Sequence, residues 1–192
     1  MPEPDKTRIR SFEDAPAFWQ WLARNHDCEP EVWLKIYKKG SGQKTIDWNR
    51  AVVEALCWGW IDGIKKSFDD QAYLQRFTPR RPGSNWSKRN REHVERLIAE
   101  GRMQEPGLLH VRAAQTDGRW ESAYAPASEM IMPEDFLAAL EERPSAKVFF
   151  ATLNRQNRYA IAYRLQTARK PETRQKRLVS FLAMLEKEET LY

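Results

Sequence analysis

Arg76, Arg80 and Arg81, followed by Trp86, Lys88, Arg89 and Arg91, form the densest cationic stretch of this 192-residue chain. A guanidinium is a planar fork that donates two parallel hydrogen bonds to phosphate or carboxylate, and an indole offers a face on which a base or ring can stack. Just upstream, Leu56-Cys57-Trp58-Gly59-Trp60-Ile61-Asp62-Gly63 sets two of the chain's 8 Trp beside an acid, a mixture that core packing alone does not select. The candidate ligand-binding set is therefore Trp58, Trp60, Asp62, Arg76, Arg80, Trp86 and Lys88. In this reading Arg76 and Arg80 pair with an anion, Trp60 or Trp86 stacks, and Asp62 orients an arginine or adds selectivity.

Asp62 invites two further readings. As an acid between Trp60 and Gly63 it is a candidate general base; as half of an Asp-Gly pair it suits a turn in which the carboxylate bonds its own backbone or an arginine. No other catalytic residue suggests itself. His26, His93 and His110 lack a two-His spacing or a nearby Cys pair, so no metal is expected. Gly40-Ser41-Gly42-Gln43-Lys44 lacks the spacing that wraps backbone N–H groups around a phosphate, and no motif for a cofactor is found. A second basic set, from Arg155 through Arg158, Arg164, Arg169 and Lys170 to Arg174, Lys176 and Arg177, alternates with apolar residues at helical spacing and reads as a charged outer face.

The elements that must position these groups follow from periodicity. Ser11 is the expected cap of a helix whose apolar stripe is Phe18, Trp19 and Leu22. Val32–Lys38 alternates and is rich in β-branched and aromatic residues, predicting a strand with Val32, Leu34 and Ile36 on one face. Asp47 is the cap of a second helix burying Val52, Val53, Leu56 and Cys57, with Gly59 at its end. Trp60 to Gly63 is then a turn, and Ile64–Phe68 and Tyr73–Thr78 are strands joined by a hairpin loop.

From Ser87 onward Pro and Gly punctuate helices: about Ser87 to Glu100, Pro106 to Gly118, then starts at Pro133, Pro144 and Pro171 with Asn154 as a cap between the last two. The fold class is α+β: a small antiparallel sheet of about three strands packed on N-terminal helices, followed by a mostly helical C-terminal half. Residues 10–117 form the α+β core, 118–132 an ordered connector, and 133–188 a helical region.

A formal charge of +5 permits polyanion binding without demanding it. The start Met1-Pro2-Glu3-Pro4-Asp5-Lys6 lacks the apolar stretch of a signal peptide, and no run approaches a membrane span, so a cytoplasmic protein without membrane insertion is expected. Cys28 and Cys57 would be thiols there.

The chain resembles the YdeI/OmpD-associated family, also called bacteriocin-protection or OmdA-like proteins. The residues that carry the resemblance are Val32-Trp33-Leu34 with Lys38-Lys39-Gly40-Ser41-Gly42, then Ala55 to Gly63, Leu74 to Arg80, Trp86-Ser87-Lys88-Arg89-Asn90, Gly118-Arg119-Trp120 and Thr167 to Arg174. The resemblance implies a bacterial protein associated with tolerance to bacteriocins or antimicrobial peptides and with outer-membrane porin expression; it supplies no catalytic mechanism. The function expected is a non-enzymatic ligand-binding stress or defence protein holding an anionic small molecule. The alternatives are an enzyme acting on a small phosphorylated or carboxylated metabolite with Asp62 as base, and a nucleic-acid-binding module. The oligomeric state is not legible.

Overall fold

The computed structural model describes residues 3–126 and 128–192. The chain forms two compact units, the first made of 1–84 with 90–121 and the second of 85–89 with 122–192.

In the first unit, helix α1 (Ala15–Asn25) starts at Asp14, whose carboxylate accepts the Ala17 N–H at 2.9 Å. This corrects the expected cap at Ser11. Pro16 decides the matter, because a residue without an N–H is tolerated only in the first helical turn. Helix α2 (Trp48–Cys57) is capped by Asp47, as its spacing predicts, through the Arg50 N–H at 3.0 Å. Its buried face is Ala51, Val52, Glu54, Ala55, Leu56 and Cys57, so that the expected Val53 is only half-buried while Glu54 is just 5% exposed.

The sheet has four strands in the order β1-β2-β4-β3. Strand β2 (Val32–Tyr37) and β4 (Ala72–Pro79) run antiparallel, and β3 (Trp60–Ser67) runs antiparallel to β4. The additional strand β1 (Ile9–Arg10) pairs parallel with β2; two residues carry no legible period. Strand β3 begins at Trp60 rather than Ile64. Gly59, at φ +73°, reverses the chain directly after α2, so the residues expected to turn are already paired, Asp62 opposite Phe77. The register shifts between Asp62 and Lys65, and the buried Gln75 amide donates to the Gly63 carbonyl within this irregularity at 2.9 Å.

Phe77 meets Phe18 of α1 edge-on, with ring centroids 5.6 Å apart, and Trp60 meets Trp21 at 5.8 Å. These contacts seat α1 on the Phe77 face of the sheet. Helices α3 (Lys88–Ala99) and α4 (Glu105–Thr116) follow. Gly107 in the first turn of α4 lies against the last carbonyls of α2, where a Cβ would stand 2.5 Å from the Cys57 oxygen.

The second unit contains α5 (Glu134–Glu141), α6 (Pro144–Thr152), α7 (Arg155–Gln166) and α8 (Pro171–Glu186). Phe136, Ile161, Leu165, Phe181, Leu182 and Leu185 close its core. Asn154 caps α7 through the Asn157 N–H at 2.9 Å. Asn157 is itself 2% exposed, and its Oδ1 accepts the N–H groups of Leu191 and Tyr192 at 3.0 and 3.1 Å. Beyond Ser87 the strand-like pairing among the described residues is one parallel bridge, Ser87 with Tyr124.

Among the described residues no helix is long and apolar enough to cross a membrane. Cys28 is exposed and Cys57 buried, both as free thiols. Burial, with the Glu54 carboxylate nearby, pushes Cys57 up to about 12. A thiol reagent at pH 8 is therefore expected to label Cys28 quickly and Cys57 at least about 1,000-fold more slowly, since the thiolate is the nucleophile. Two equally fast thiols in the native protein would overturn this.

Candidate functional site

The Trp-rich stretch forms the corner where α2 turns into β3. Trp58 is half-buried at the C-terminus of α2, with its ring 5.1 Å from Trp19 and 4.7 Å from His26. Trp60 is 1% exposed and its indole N–H donates to the His26 carbonyl at 3.1 Å. The Asp62 carboxylate accepts the Trp48 indole N–H at 3.1 Å, which ties β3 to α2.

Sheet register separates the predicted clamp. Asp62 pairs with Phe77 and shares its face, whereas Arg76, one residue earlier on β4, points to the opposite face. There Arg76 lies with Glu31 and Trp33: its Nε is 2.6 Å and its Nη2 2.5 Å from Glu31 Oε2, and its guanidinium sits 6.0 Å from the Trp33 ring centre. Arg80 is 3% exposed. With Arg119 it acts on His110, whose pKa is lowered chiefly by burial and then by these two cations. Trp86, buried, and Lys88, exposed, belong to the second unit. Thus the structure brings Trp58, Trp60 and Asp62 to one corner, places Arg76 on the other face of the sheet, and buries Arg80 beneath the surface.

The first unit has a cleft of about 450 Å³ that the sequence reading missed. The amino end of α1 forms one wall; Asn49, Arg50 and Glu54 of α2, His93 and Arg96 of α3, and Arg102 form the rest. Its cations are matched in place. Arg102 Nη2 donates to both Glu54 oxygens at 2.7 and 2.8 Å, Arg50 lies 3.3 Å from Asp47, and Arg96 3.6 Å from Glu100. The Glu54–Arg102 pair is the anchor, since a carboxylate buried this far requires a partner. The cleft is polar but internally neutralised.

The second unit differs in kind. Three cavities, of about 270, 480 and 470 Å³, run in series along α7 and onto α8. The first two share Tyr159, and the last two share Arg164. Their cations are Arg155, Arg158, Arg164, Lys176 and Arg177; among the described residues no Asp or Glu lines any of them. Arg158 donates to the Ala151 carbonyl at 2.6 Å and lies over the Phe150 ring; Arg177 donates to the Arg164 carbonyl at 2.5 Å. Arg164 lies over the Tyr192 ring and reaches its hydroxyl at 3.4 Å.

These contacts fix Arg158, Arg164 and Arg177 with neutral groups and leave the charge of these three in place. Elsewhere in the same unit basic side chains are paired, Arg143 with Glu186, Lys147 with Glu141 and Arg174 with Asp135. Sequence reasoning placed these residues on an outer face because spacing shows where a charge sits, not whether a carboxylate meets it. The adjoining Tyr124, Tyr159 and Tyr163 were the overlooked signal.

Fold and site together define an α+β protein in which a four-stranded sheet unit accompanies a helical unit with a row of cations and tyrosines whose cavities, among the described residues, no Asp or Glu lines. The chain belongs to the family described as a domain of unknown function, DUF8412, whose model matches residues 10–110. A second model, described as bacteriocin-protection, YdeI or OmpD-associated, matches residues 129–188. The resemblance read from the sequence is thus carried by the C-terminal part, while most of the motifs quoted for it, between Val32 and Asn90, fall under the first model. No curated protein and no solved structure matches the chain.

Proposed function

We propose that this is a non-enzymatic stress or defence protein of the cytoplasm that holds an anionic partner on its second unit. One observation carries the reading: Arg158, Arg164, Lys176 and Arg177 line adjoining cavities that share Tyr159 or Arg164 as a wall, and among the described residues no carboxylate pairs with any of them. A surface that only keeps a helix hydrated mixes both signs, as the rest of this unit does. An anion entering here gains charge-assisted bonds from arginines already held by neighbouring carbonyls and rings, so less side-chain freedom is lost on binding.

The match to the bacteriocin-protection model over the same residues supports placing the activity in this unit. Charge also sets a limit on mechanism. A cationic peptide would be repelled by this surface, so protection through it would run by way of an anionic partner. In the first unit, Glu54, Glu100, Asp47 and Glu31 already occupy the arginines that a second anion would need.

The test is thermal unfolding at low salt with inorganic tripolyphosphate or citrate. A partner that binds only the folded state stabilises it by mass action, by about 2.7 kcal/mol at a hundred times Kd. The expected result is a rise in Tm that shrinks in an Arg158→Gln, Lys176→Gln double variant. No rise, or a rise unchanged in that variant, would sink the proposal.

A further inference from the structure

Resting on that reading, we infer that the anion held by the second unit is a single-stranded nucleic acid, its bases stacked on tyrosines and its phosphates on the flanking cations. The middle cavity, about 480 Å³, is walled by Tyr124, Tyr159, Tyr163 and Tyr192, with Gln156 and Arg164 as its polar groups. Four phenol rings are far more than a free phosphate or a small carboxylate can use. Tyr159 and Tyr163 lie 26° from parallel with centroids 5.9 Å apart, and Tyr124 meets Tyr163 edge-on at 4.8 Å. The rings thus brace one another, and each is half-buried, which leaves aromatic surface to receive a base.

On either side of this aromatic cavity comes a largely apolar one edged by cations: Arg158 beside Met130, Met132 and Phe150, reached through Tyr159 in one direction, and Lys176 and Arg177 beside Phe181, reached through Arg164 in the other. The order along the surface is cation, rings, cation. A single strand repeats phosphate, base, phosphate, and its unpaired bases are free to stack; a duplex keeps them inside. Tyrosine cages also attract ammonium groups through their π faces. Here that reading fails on charge, because Arg164 already covers the Tyr192 ring and the neighbouring cavities hold further cations with no carboxylate among their described residues.

The test uses the full chain and three probes: a fluorescent oligothymidylate, an abasic oligomer with the same number of phosphates, and inorganic polyphosphate as competitor. The oligothymidylate is expected to bind at least about tenfold more tightly than the abasic oligomer, the increment of stacking even one base. Its log K should fall with log salt at a slope of about −3 if four phosphates are engaged. Tyr192→Ser, at a residue 66% exposed and so harmless to the core, and Tyr159→Leu should each reduce the oligothymidylate advantage while polyphosphate still binds.

Equal affinity for the oligothymidylate and the abasic oligomer, with polyphosphate displacing both, would overturn the nucleic-acid inference and leave the anion site standing. An advantage unchanged in both tyrosine variants would overturn the assignment to this cavity. Failure of all three probes to bind would overturn the anion site as well.

Discussion

Gly107→Ala is expected to lower the unfolding free energy by about 2–3 kcal/mol, seen as a reduced denaturant midpoint at unchanged slope. A Cβ at this position would stand 2.5 Å from the Cys57 carbonyl oxygen, 2.8 Å from that of Leu56 and 2.7 Å from Met103 Cε. The methionine is an unbranched chain and can move aside. The carbonyls cannot, because they are the last turn of α2, and the Cys57 oxygen already accepts the Gln104 N–H at 3.0 Å. To admit a methyl group, α4 must retreat from α2. Alanine's better helix propensity returns only about 1 kcal/mol of the loss. Gly101→Ala makes a useful comparison: its Cβ would meet nothing within 4 Å, and only the left-handed backbone at φ +67° opposes it, at about 1 kcal/mol. If Gly107→Ala proved the milder of the two, the close approach of α2 and α4 would be refuted.

Asn157→Leu is expected to cost about 2 kcal/mol and to release the segment around Leu191 and Tyr192. The side chain is nearly isosteric, but it neither accepts from these two N–H groups nor donates to Asn154 Oδ1 and the Tyr192 carbonyl. The released groups can turn to water, which keeps the loss below that of leaving them buried. Amide exchange at Leu191 and Tyr192 should rise towards the unprotected rate while the core of α7 stays slow. Protection that persists in the variant would mean that packing, not Asn157, seats the segment. Since Tyr192 walls the aromatic cavity, the same substitution should also weaken ligand capture there.

Much of the fold was legible because side chains announce local backbone needs. Asp47 and Asn154 cap the helices that their spacing predicts, and Pro144 and Pro171 open helices where a missing N–H is harmless. The Ser11 error came from weighing a hydroxyl's capping ability without the nearby constraint of Pro16. Strand β1 is two residues whose pairing depends on a partner 24 positions away, a long-range fact with no local trace. The candidate site was legible only as residue types. A strand's alternation is visible in sequence, yet which residue lies across from Asp62 depends on a register that the irregularity after it shifts. Likewise the basic residues from Arg155 to Arg177 could be counted, but which of them meet a carboxylate, as Arg174 meets Asp135, and which are held by carbonyls and rings, as Arg158, Arg164 and Arg177 are, became visible only once α7 and α8 were packed.

The two units are not laid end to end along the gene. Residues 85–89 belong with 122–192, although 90–121 of the other unit lie between them. Tyr124 takes its main-chain partners from that early strip, donating to the Trp86 carbonyl at 2.9 Å and accepting the Lys88 N–H at 2.9 Å. A recombination event that carried off 122–192 alone would therefore deliver an incomplete module, with a main-chain edge bereft of its complement. The helical unit can be inherited or transplanted only with a strip of its neighbour's coding sequence, which binds the fortunes of the two modules into a single genetic unit.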